Sequence, residues 1–147
     1  MSVYNLKHQI LGIDDGNFDV NNPNIPLLNV GAVLGIARKK LGLDLVISPR
    51  CNFTNNIVEI GPEVEKALPN DLEWFLRTKK EADGVIVNSA FDAVAIFNAD
   101  CPIVAVHDRV SDKLAVLHAG FRCLLPEKQK KTRERSIIQV LFDDHGF

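Results

Sequence analysis

The sequence has 147 residues, a formal net charge of −2 and a charged fraction of 24%. A chain of this length typically forms one domain, so we predict a single domain over residues 1–147. A general nucleic-acid binder usually carries a basic excess, and a membrane helix needs about 18 or more apolar residues in a row, which this sequence lacks. We therefore expect no nucleic-acid partner and no membrane partner. Three cysteines without scaffold-like spacing indicate a reduced, cytoplasmic setting.

The first half of the chain predicts one helix and two short strands. Residues 28–43 have apolar side chains at helical spacing, and Gly42 is suited to cap the C-terminus of the helix. A strand is predicted over residues 45–47, with Ser48-Pro49 ending it. After a loop over residues 51–56, a second strand is predicted over residues 57–60.

Two further helical segments are predicted next, followed mainly by strands. The second helix would begin at Asn70, with Glu73 completing a capping box and Phe75 on the apolar face. Strands over residues 85–87 and 93–97 are almost continuously apolar, which is typical of strands covered on both faces in a layered α/β arrangement. The chain ends with a helix predicted to start near Pro126.

A β-hairpin is predicted over residues 103–117, with a polar loop at 108–111. A four-residue loop would place His107 opposite Asp112, and the same register would place Cys101 opposite His118. Directly opposed side chains have Cβ atoms roughly 4.5–5.5 Å apart, which suits shared metal ligation or a thiolate–imidazole pair. The alternative interpretation of Cys101 is a buried apolar cysteine.

Several residues near the open end of this hairpin are candidates for a site. Asp100 directly precedes Cys101, and we predict a catalytic role for it. Gly120 leaves room for a ligand beside His118, and the planar guanidinium of Arg122 could bind a phosphate or a carboxylate. The alternative interpretation of this segment is a turn that carries a surface arginine. Cys51 and Cys123 lie near turns, without a supporting pattern.

Three sequence blocks carry a resemblance to a known family. Residues 81–84 (EADG), 97–102 (FNADCP) and 118–122 (HAGFR) resemble, in this order, the signature blocks of the YfiH/DUF152 family, which is labelled multicopper polyphenol oxidase (laccase). The matches run from about residue 27 to residue 122. The resemblance implies an α+β fold with mixed sheets in four layers, α/β/β/α, grouped with cysteine hydrolases such as the deamidase toxins.

The resemblance also implies a zinc site built from one cysteine and two histidines. Carried over by motif, Cys101 and His118 would be metal ligands and catalytic residues, and Arg122 and Gly120 would lie at the substrate and anion-binding part. Family members are described as purine nucleoside phosphorylases with adenosine deaminase activity, so the implied partners are a purine nucleoside and phosphate as co-substrate. The family label makes copper the alternative metal.

This sequence departs from the family pattern at three places. The first ligand histidine of the family lies in a Q-x-H-G-x-x-V block, whereas residues 50–57 here contain no histidine. Phe53 falls at or near its position, and Cys51 could replace it chemically. Phe121 and Cys123 stand where the family has a tryptophan and a glycine. By this resemblance, we also expect the chain to lack the C-terminal third of the family pattern.

Three hypotheses follow from the residues and the resemblance together. The first is a zinc-dependent purine nucleoside phosphorylase or adenosine deaminase. The second is a metal-independent cysteine hydrolase, of the amidase or deamidase kind, in which Cys101 is the nucleophile and His118 the base. The third is a catalytically degenerate module that forms a homo-oligomer through exposed sheet edges.

Overall fold

The computed structural model describes residues 27–67, 72–125 and 135–147. In this part of the chain, two four-stranded sheets are combined with three helices. The elements, in chain order, are α1 (Leu27–Leu41), β1 (Leu45–Arg50), β2 (Ile57–Glu59), β3 (Val64–Lys66), β4 (Phe75–Glu81), β5 (Gly84–Val87), β6 (Asp92–Val94), β7 (Ile103–Asp108), β8 (Lys113–His118), α2 (Phe121–Leu124) and α3 (Ile137–His145).

Both sheets are mixed. The first has the strand order β3-β4-β1-β6, in which β1 runs parallel to β4 and β6, and β3 runs antiparallel to β4. The second has the order β2-β5-β8-β7, in which β2 is parallel to β5 and the other neighbours are antiparallel.

Three apolar clusters show that the helices and sheets are stacked in four layers. The first cluster joins α1 to the first sheet through Val30 and Phe75. The second lies between the two sheets and contains Ile47 and Val85. The third joins the second sheet to α3 and α2, and its buried members are Ile86, Ala115, Leu117, Cys123, Ile137 and Leu141. The arrangement confirms the predicted α+β class and the α/β/β/α order of layers.

Successive side chains of one strand pack into two different apolar clusters, because they point to opposite faces of the sheet. Val46 packs towards α1, whereas its neighbour Ile47 packs between the sheets. In β5, Val85 and Val87 pack between the sheets, and Ile86 packs towards α3. Successive side chains point to opposite faces of a strand, so a strand covered on both sides needs apolar residues at every position. The prediction of a strand covered on both faces is confirmed for residues 85–87, whereas the strand predicted over residues 93–97 is the shorter, half-buried β6, which ends at Val94.

The two helical segments predicted between residues 61 and 80 are wrong where the structure describes them. Val64–Lys66 forms β3 and Phe75–Glu81 forms β4, which pairs in parallel with β1. Phe75 and Leu76, which suggested one helical face, instead point to opposite sides of the sheet. Pairing with β1 and burial on both faces outweigh a short helical pattern. The predicted cap, Asn70, lies outside the described residues.

Other predicted boundaries shift by smaller amounts. The strand β1 continues through Ser48-Pro49 to Arg50, because its pairing with β4 is irregular between Ser48 and Arg50 and so tolerates a proline without an N–H. The last helix, α3, begins at Ile137 with a capping box between Ser136 and Gln139, and Pro126 lies outside the described residues.

The hairpin forms as predicted, but its register differs by two residues. His118 pairs with Ile103 rather than with Cys101, and the first strand extends to Asp108, which pairs with Lys113. The carboxylate of Asp108 accepts hydrogen bonds from the backbone of Val110 and Ser111 and so moves the loop to residues 109–112. A shift of two residues in register preserves the face of the sheet on which each side chain lies.

Among the described residues, no helix is long and apolar enough to cross a bilayer.

Candidate active site

Three connecting segments meet where the strand β8 ends. His118 is the last residue of β8, Asp83 lies in the turn between β4 and β5, and residues 51–56 form the loop between β1 and β2. The Asp83 side chain is fully buried, and 6% of the His118 side chain is exposed. Backbone hydrogen bonds hold the segments together, because Asp83 accepts from the N–H of His118 at 2.7 Å and donates to the carbonyl of Asn56 at 2.9 Å.

The carboxylate of Asp83 is the centre of this arrangement. Its Oδ1 accepts the backbone N–H of Phe53 at 3.0 Å and faces Nδ1 of His118 at 3.1 Å. Its Oδ2 accepts the backbone N–H of Thr54 and, at 2.9 Å, the Thr54 hydroxyl. A carboxylate offers about four acceptor positions, and here four donors occupy them. The contacts compensate a buried charge that would otherwise be costly.

The Asp83 contact also fixes the protonation pattern of the neutral His118 ring. Because the carboxylate is an acceptor only, Nδ1 carries the hydrogen that it donates, and the lone pair is left on Nε2. This is the arrangement of a metal-ligating histidine held by a carboxylate, and also that of the base in a cysteine or serine hydrolase.

The loop over residues 51–56 has strained backbone geometry. Phe53 and Asn55 have φ values of 54° and 61°, in the left-handed region that non-glycine residues rarely adopt. A bulky residue such as Phe53 stays there only when its surroundings impose it, and the hydrogen bonds to Asp83 do so. The Phe53 ring is thereby set against the His118 ring, with their centroids 5.3 Å apart.

Cys101 reaches the same site although it precedes β7. A Cβ atom added to Gly120 would lie 3.1 Å from the Cys101 sulfur, 3.3 Å from Cε1 of His118 and 3.0 Å from Cε1 of Phe53. The N–H of Ala119 donates to the carbonyl of Pro102 at 2.8 Å and extends the hairpin contact beyond the strands. Cys101 and His118 therefore both border the space beside Gly120, although the two residues are not directly opposed as predicted.

Cys51, which could chemically replace the missing family histidine, lies beside the buried pair. Its sulfur, a carboxylate oxygen of Asp83 and a ring nitrogen of His118 lie within 4.8 Å of one another, a group able to hold a metal ion. Burial and the Asp83 charge raise the pKa of the Cys51 thiol from its ordinary value of 9.0 to about 12. The thiol is therefore protonated at neutral pH when no metal is present.

The remaining candidates lie around this centre. The guanidinium carbon of Arg122, an exposed residue, stands 5.5 Å from the centroid of the Phe53 ring. Asp100 is exposed in the segment before Cys101, and the carboxylate that contacts His118 is that of Asp83. His107 bonds to Asp112 at 3.0 Å on the hairpin, although its strand partner is Leu114 and not Asp112 as predicted.

Two sequence signals could have found the missing members of the site. Asp83 is a charged residue between apolar neighbours, directly before the fully buried strand β5, so it needs buried partners. Cys51 directly follows a strand and opens a loop rich in asparagine and threonine, where side chains commonly reach a cleft. Neither signal names the partner, which only the fold supplies.

Comparison with protein families gives the chain an affiliation. The family model described as multi-copper polyphenol oxidoreductase laccase matches residues 29–136. The chain belongs to this laccase family. The match confirms the resemblance drawn from the sequence blocks, and it includes Cys51, Asp83, Cys101 and His118.

The chain was also compared with solved structures and with curated proteins. The crystal structure of a DUF152 protein of Neisseria meningitidis is similar to this laccase-family chain with 24% sequence identity and a TM-score of 0.46. The similarity covers 70% of this chain and 36% of that one, so the chain spans well under half of that protein's length. No curated protein matches the chain.

The donor atoms fit zinc and do not fit a multi-copper centre. A blue copper site needs two histidines and a cysteine, whereas the group of three potential ligands found among the described residues has one histidine, His118. Thiolate, imidazole and carboxylate are the ligands of zinc, and the Asp83–His118 bond is the usual support of a zinc-bound imidazole.

Proposed function

We propose that this laccase-family chain carries a zinc-dependent site that acts on purine nucleosides, as a phosphorylase or a deaminase. The observation that carries the proposal is the buried Asp83–His118 pair with the Cys101 sulfur beside it across Gly120. Sulfur and imidazole nitrogen are preferred zinc ligands, and a carboxylate behind the imidazole raises its basicity. The choice of substrate comes from the resemblance to the YfiH/DUF152 family, whose members are described as purine nucleoside phosphorylases.

The side chains of the site have separate roles in this proposal. His118 and Cys101 hold the metal, and Asp83 keeps the lone pair of Nε2 available. A bound zinc ion supplies Lewis-acid stabilisation of negative charge that develops on the substrate. Gly120 keeps the space beside His118 free, because any side chain there would meet Phe53 and Cys101. The exposed guanidinium of Arg122 binds phosphate.

Phosphorolysis and deamination differ in the bond that breaks. In phosphorolysis, a phosphate oxygen forms a bond to C1′ of the ribose, the C1′–N9 bond breaks, and the purine leaves with the electron pair and takes up a proton. In deamination, water adds to C6 of adenine and the amino group leaves as ammonia. Only phosphorolysis consumes phosphate, so the two activities are distinguished by phosphate dependence.

The test is turnover of adenosine and inosine by the zinc-loaded full chain, with and without phosphate, followed by chromatography of the products. We expect His118→Ala to lower turnover by at least about 100-fold, the scale of losing one positioned catalytic group. His107→Ala is the matched control, because His107 bonds to Asp112 on the hairpin away from the site. Zinc-bound wild-type protein that consumes neither nucleoside would refute the proposed function.

A second function is favoured by the same geometry and needs no metal. Asp83, His118 and Cys101 have the order of a cysteine hydrolase triad, in which an oriented imidazole takes the thiol proton. This hypothesis predicts that iodoacetamide labels Cys101 first in metal-free protein, and that His118→Ala slows the labelling. Burial protects Cys123, and a raised thiol pKa protects Cys51. Equal labelling of all three cysteines would exclude this second function.

A further inference from the structure

The loop over residues 51–56 brings two side chains to His118, and they differ in what they offer a metal. Phe53 presents an aromatic ring, which has no ligand atom. Cys51, two residues earlier, presents a sulfur within 4.8 Å of a His118 ring nitrogen. We propose that Cys51 is a zinc ligand in this chain and forms, with Cys101 and His118, a thiolate-rich Cys–Cys–His site. This inference rests on the zinc site of the proposed function and adds a ligand to it.

The separation of the atoms suits a metal after a small adjustment. Ligands around a tetrahedral zinc, with bonds of about 2.0–2.3 Å, lie about 3.3–3.8 Å from one another. The Cys51 sulfur is at most 4.8 Å from a His118 ring nitrogen, so the two atoms must approach by at most about 1.5 Å to share a metal.

Asp83 belongs to the same group, but its acceptor positions are already occupied. Four donors, from Phe53, Thr54 and His118, use both oxygens. Direct ligation by Asp83 would leave at least one buried N–H or hydroxyl without a partner, at a cost of about 1–3 kcal/mol for each such group. Asp83 is therefore better suited to orient His118 than to bind the metal, which leaves Cys51 as the ligand from this side.

Cys101 completes the set from the other segment of the site. Its sulfur and Cε1 of His118 lie 3.1 Å and 3.3 Å from the position of a Cβ atom added to Gly120, so both border the space above this glycine. Cys101 is not in the group of atoms within 4.8 Å of one another, so its side chain must also turn to share a metal with Cys51. Two thiolates and one imidazole neutralise a divalent ion and leave a fourth position open, as in catalytic zinc sites. Such a donor set selects thiophilic ions, Zn²⁺ and Cd²⁺, over Mg²⁺ and Mn²⁺.

The experiment is a titration of the metal-free full chain with Co²⁺, read from the sulfur-to-cobalt charge-transfer band in the near ultraviolet. The intensity of this band rises with the number of bound thiolates. We expect Cys51→Ala to lower the band to about half and to weaken Zn²⁺ binding at least about 10–100-fold, the loss typical of a metal-site partner. Cys123→Ala is the matched control, because Cys123 is a buried thiol of the apolar cluster between the second sheet and α3.

A second variant keeps the test decisive if Cys51→Ala fails to fold. In Cys51→His the ligand is replaced by an imidazole, so we expect metal binding to persist while the charge-transfer band falls to about half. An unchanged band in either Cys51 variant, or a wild-type protein that shows no band, overturns the inference. The nucleoside assay is a separate readout. If turnover depends on phosphate but the Cys51 variants keep the full band, the proposed function is supported and the role of Cys51 is refuted. If the band depends on Cys51 but neither nucleoside is consumed, the role of Cys51 is supported and the proposed function is refuted.

Discussion

Replacement of Asp83 by asparagine should both destabilise the fold and change the tautomer of His118. If the asparagine oxygen keeps the two contacts to Thr54, its NH₂ group replaces Oδ1 and faces the N–H of Phe53 and Nδ1 of His118. The Phe53 N–H then has no acceptor. His118 can satisfy the new donor only by moving its hydrogen to Nε2, and this removes the lone pair that would bind a metal.

The structure gives the size of this effect. Hydrogen bonds to a charged group contribute about 1.5–3 kcal/mol each, so the loss of two, with one partly recovered by the His118 tautomer, costs about 3 kcal/mol. With a urea m-value of about 2 kcal/mol per molar, the unfolding midpoint should fall by about 1.5 M. Urea unfolding followed by circular dichroism measures the midpoint, and ¹⁵N chemical shifts of the His118 ring report the tautomer.

The control for Asp83→Asn is Glu81→Gln. Glu81 is an exposed carboxylate in the same segment, with one hydrogen bond from Asn52 at 2.7 Å. Its substitution should change stability by less than about 0.5 kcal/mol. The reasoning about Asp83 is refuted if Asp83→Asn unfolds at the same urea concentration as Glu81→Gln, or if its His118 ring keeps the hydrogen on Nδ1.

Three other predictions concern the neighbours of this pair and the last helix. Gly120→Ala places a methyl group 3.0 Å from Phe53 and 3.1 Å from the Cys101 sulfur, so we expect about 1–3 kcal/mol of destabilisation in thermal unfolding and weaker zinc uptake; unchanged zinc uptake would contradict the close approach. In metal-free protein, the raised pKa of Cys51, about 12 against an ordinary 9.0, keeps its proton in the folded state while the unfolded chain loses it. The stability present below pH 9 should therefore decline as the pH rises towards 12, and Cys51→Ala should flatten the decline; identical pH profiles of the two proteins would contradict the shift. Ser136→Ala removes the side-chain cap of α3 and should cost about 1 kcal/mol in urea unfolding, whereas no change would mean that the capping box contributes nothing.

The parts of the fold that depend on local patterns were predictable from the sequence. The helix α1 and its left-handed Gly42, the buried strand β5 and the hairpin β7–β8 all follow from spacing and turn residues close in the chain. The strand β4 was mistaken for a helix because its identity depends on pairing with β1, which lies about 30 residues earlier. A short apolar pattern does not contain that information.

The residues of the site can likewise be separated into those predictable from nearby sequence and those that depend on distant contacts. Cys101 and His118 were predictable as neighbours because the two ends of a hairpin meet, and the two-residue error in register preserved the face of each side chain. Asp83 and Cys51 reach His118 from other connections, and the contacts that join them span about 30 residues or more. Such contacts depend on how the sheets pack, so the sequence could identify a candidate residue type but not its partner.

The measurement that most directly tests the account is the zinc content of the full chain, purified without chelators and determined by elemental analysis. We expect about one zinc ion per chain in wild type, the same content in His107→Ala, and almost none in His118→Ala. A wild-type chain without zinc after exposure to the metal, or a His118→Ala chain that keeps its zinc, would contradict the assignment of the Asp83–His118–Cys101 site as a zinc site.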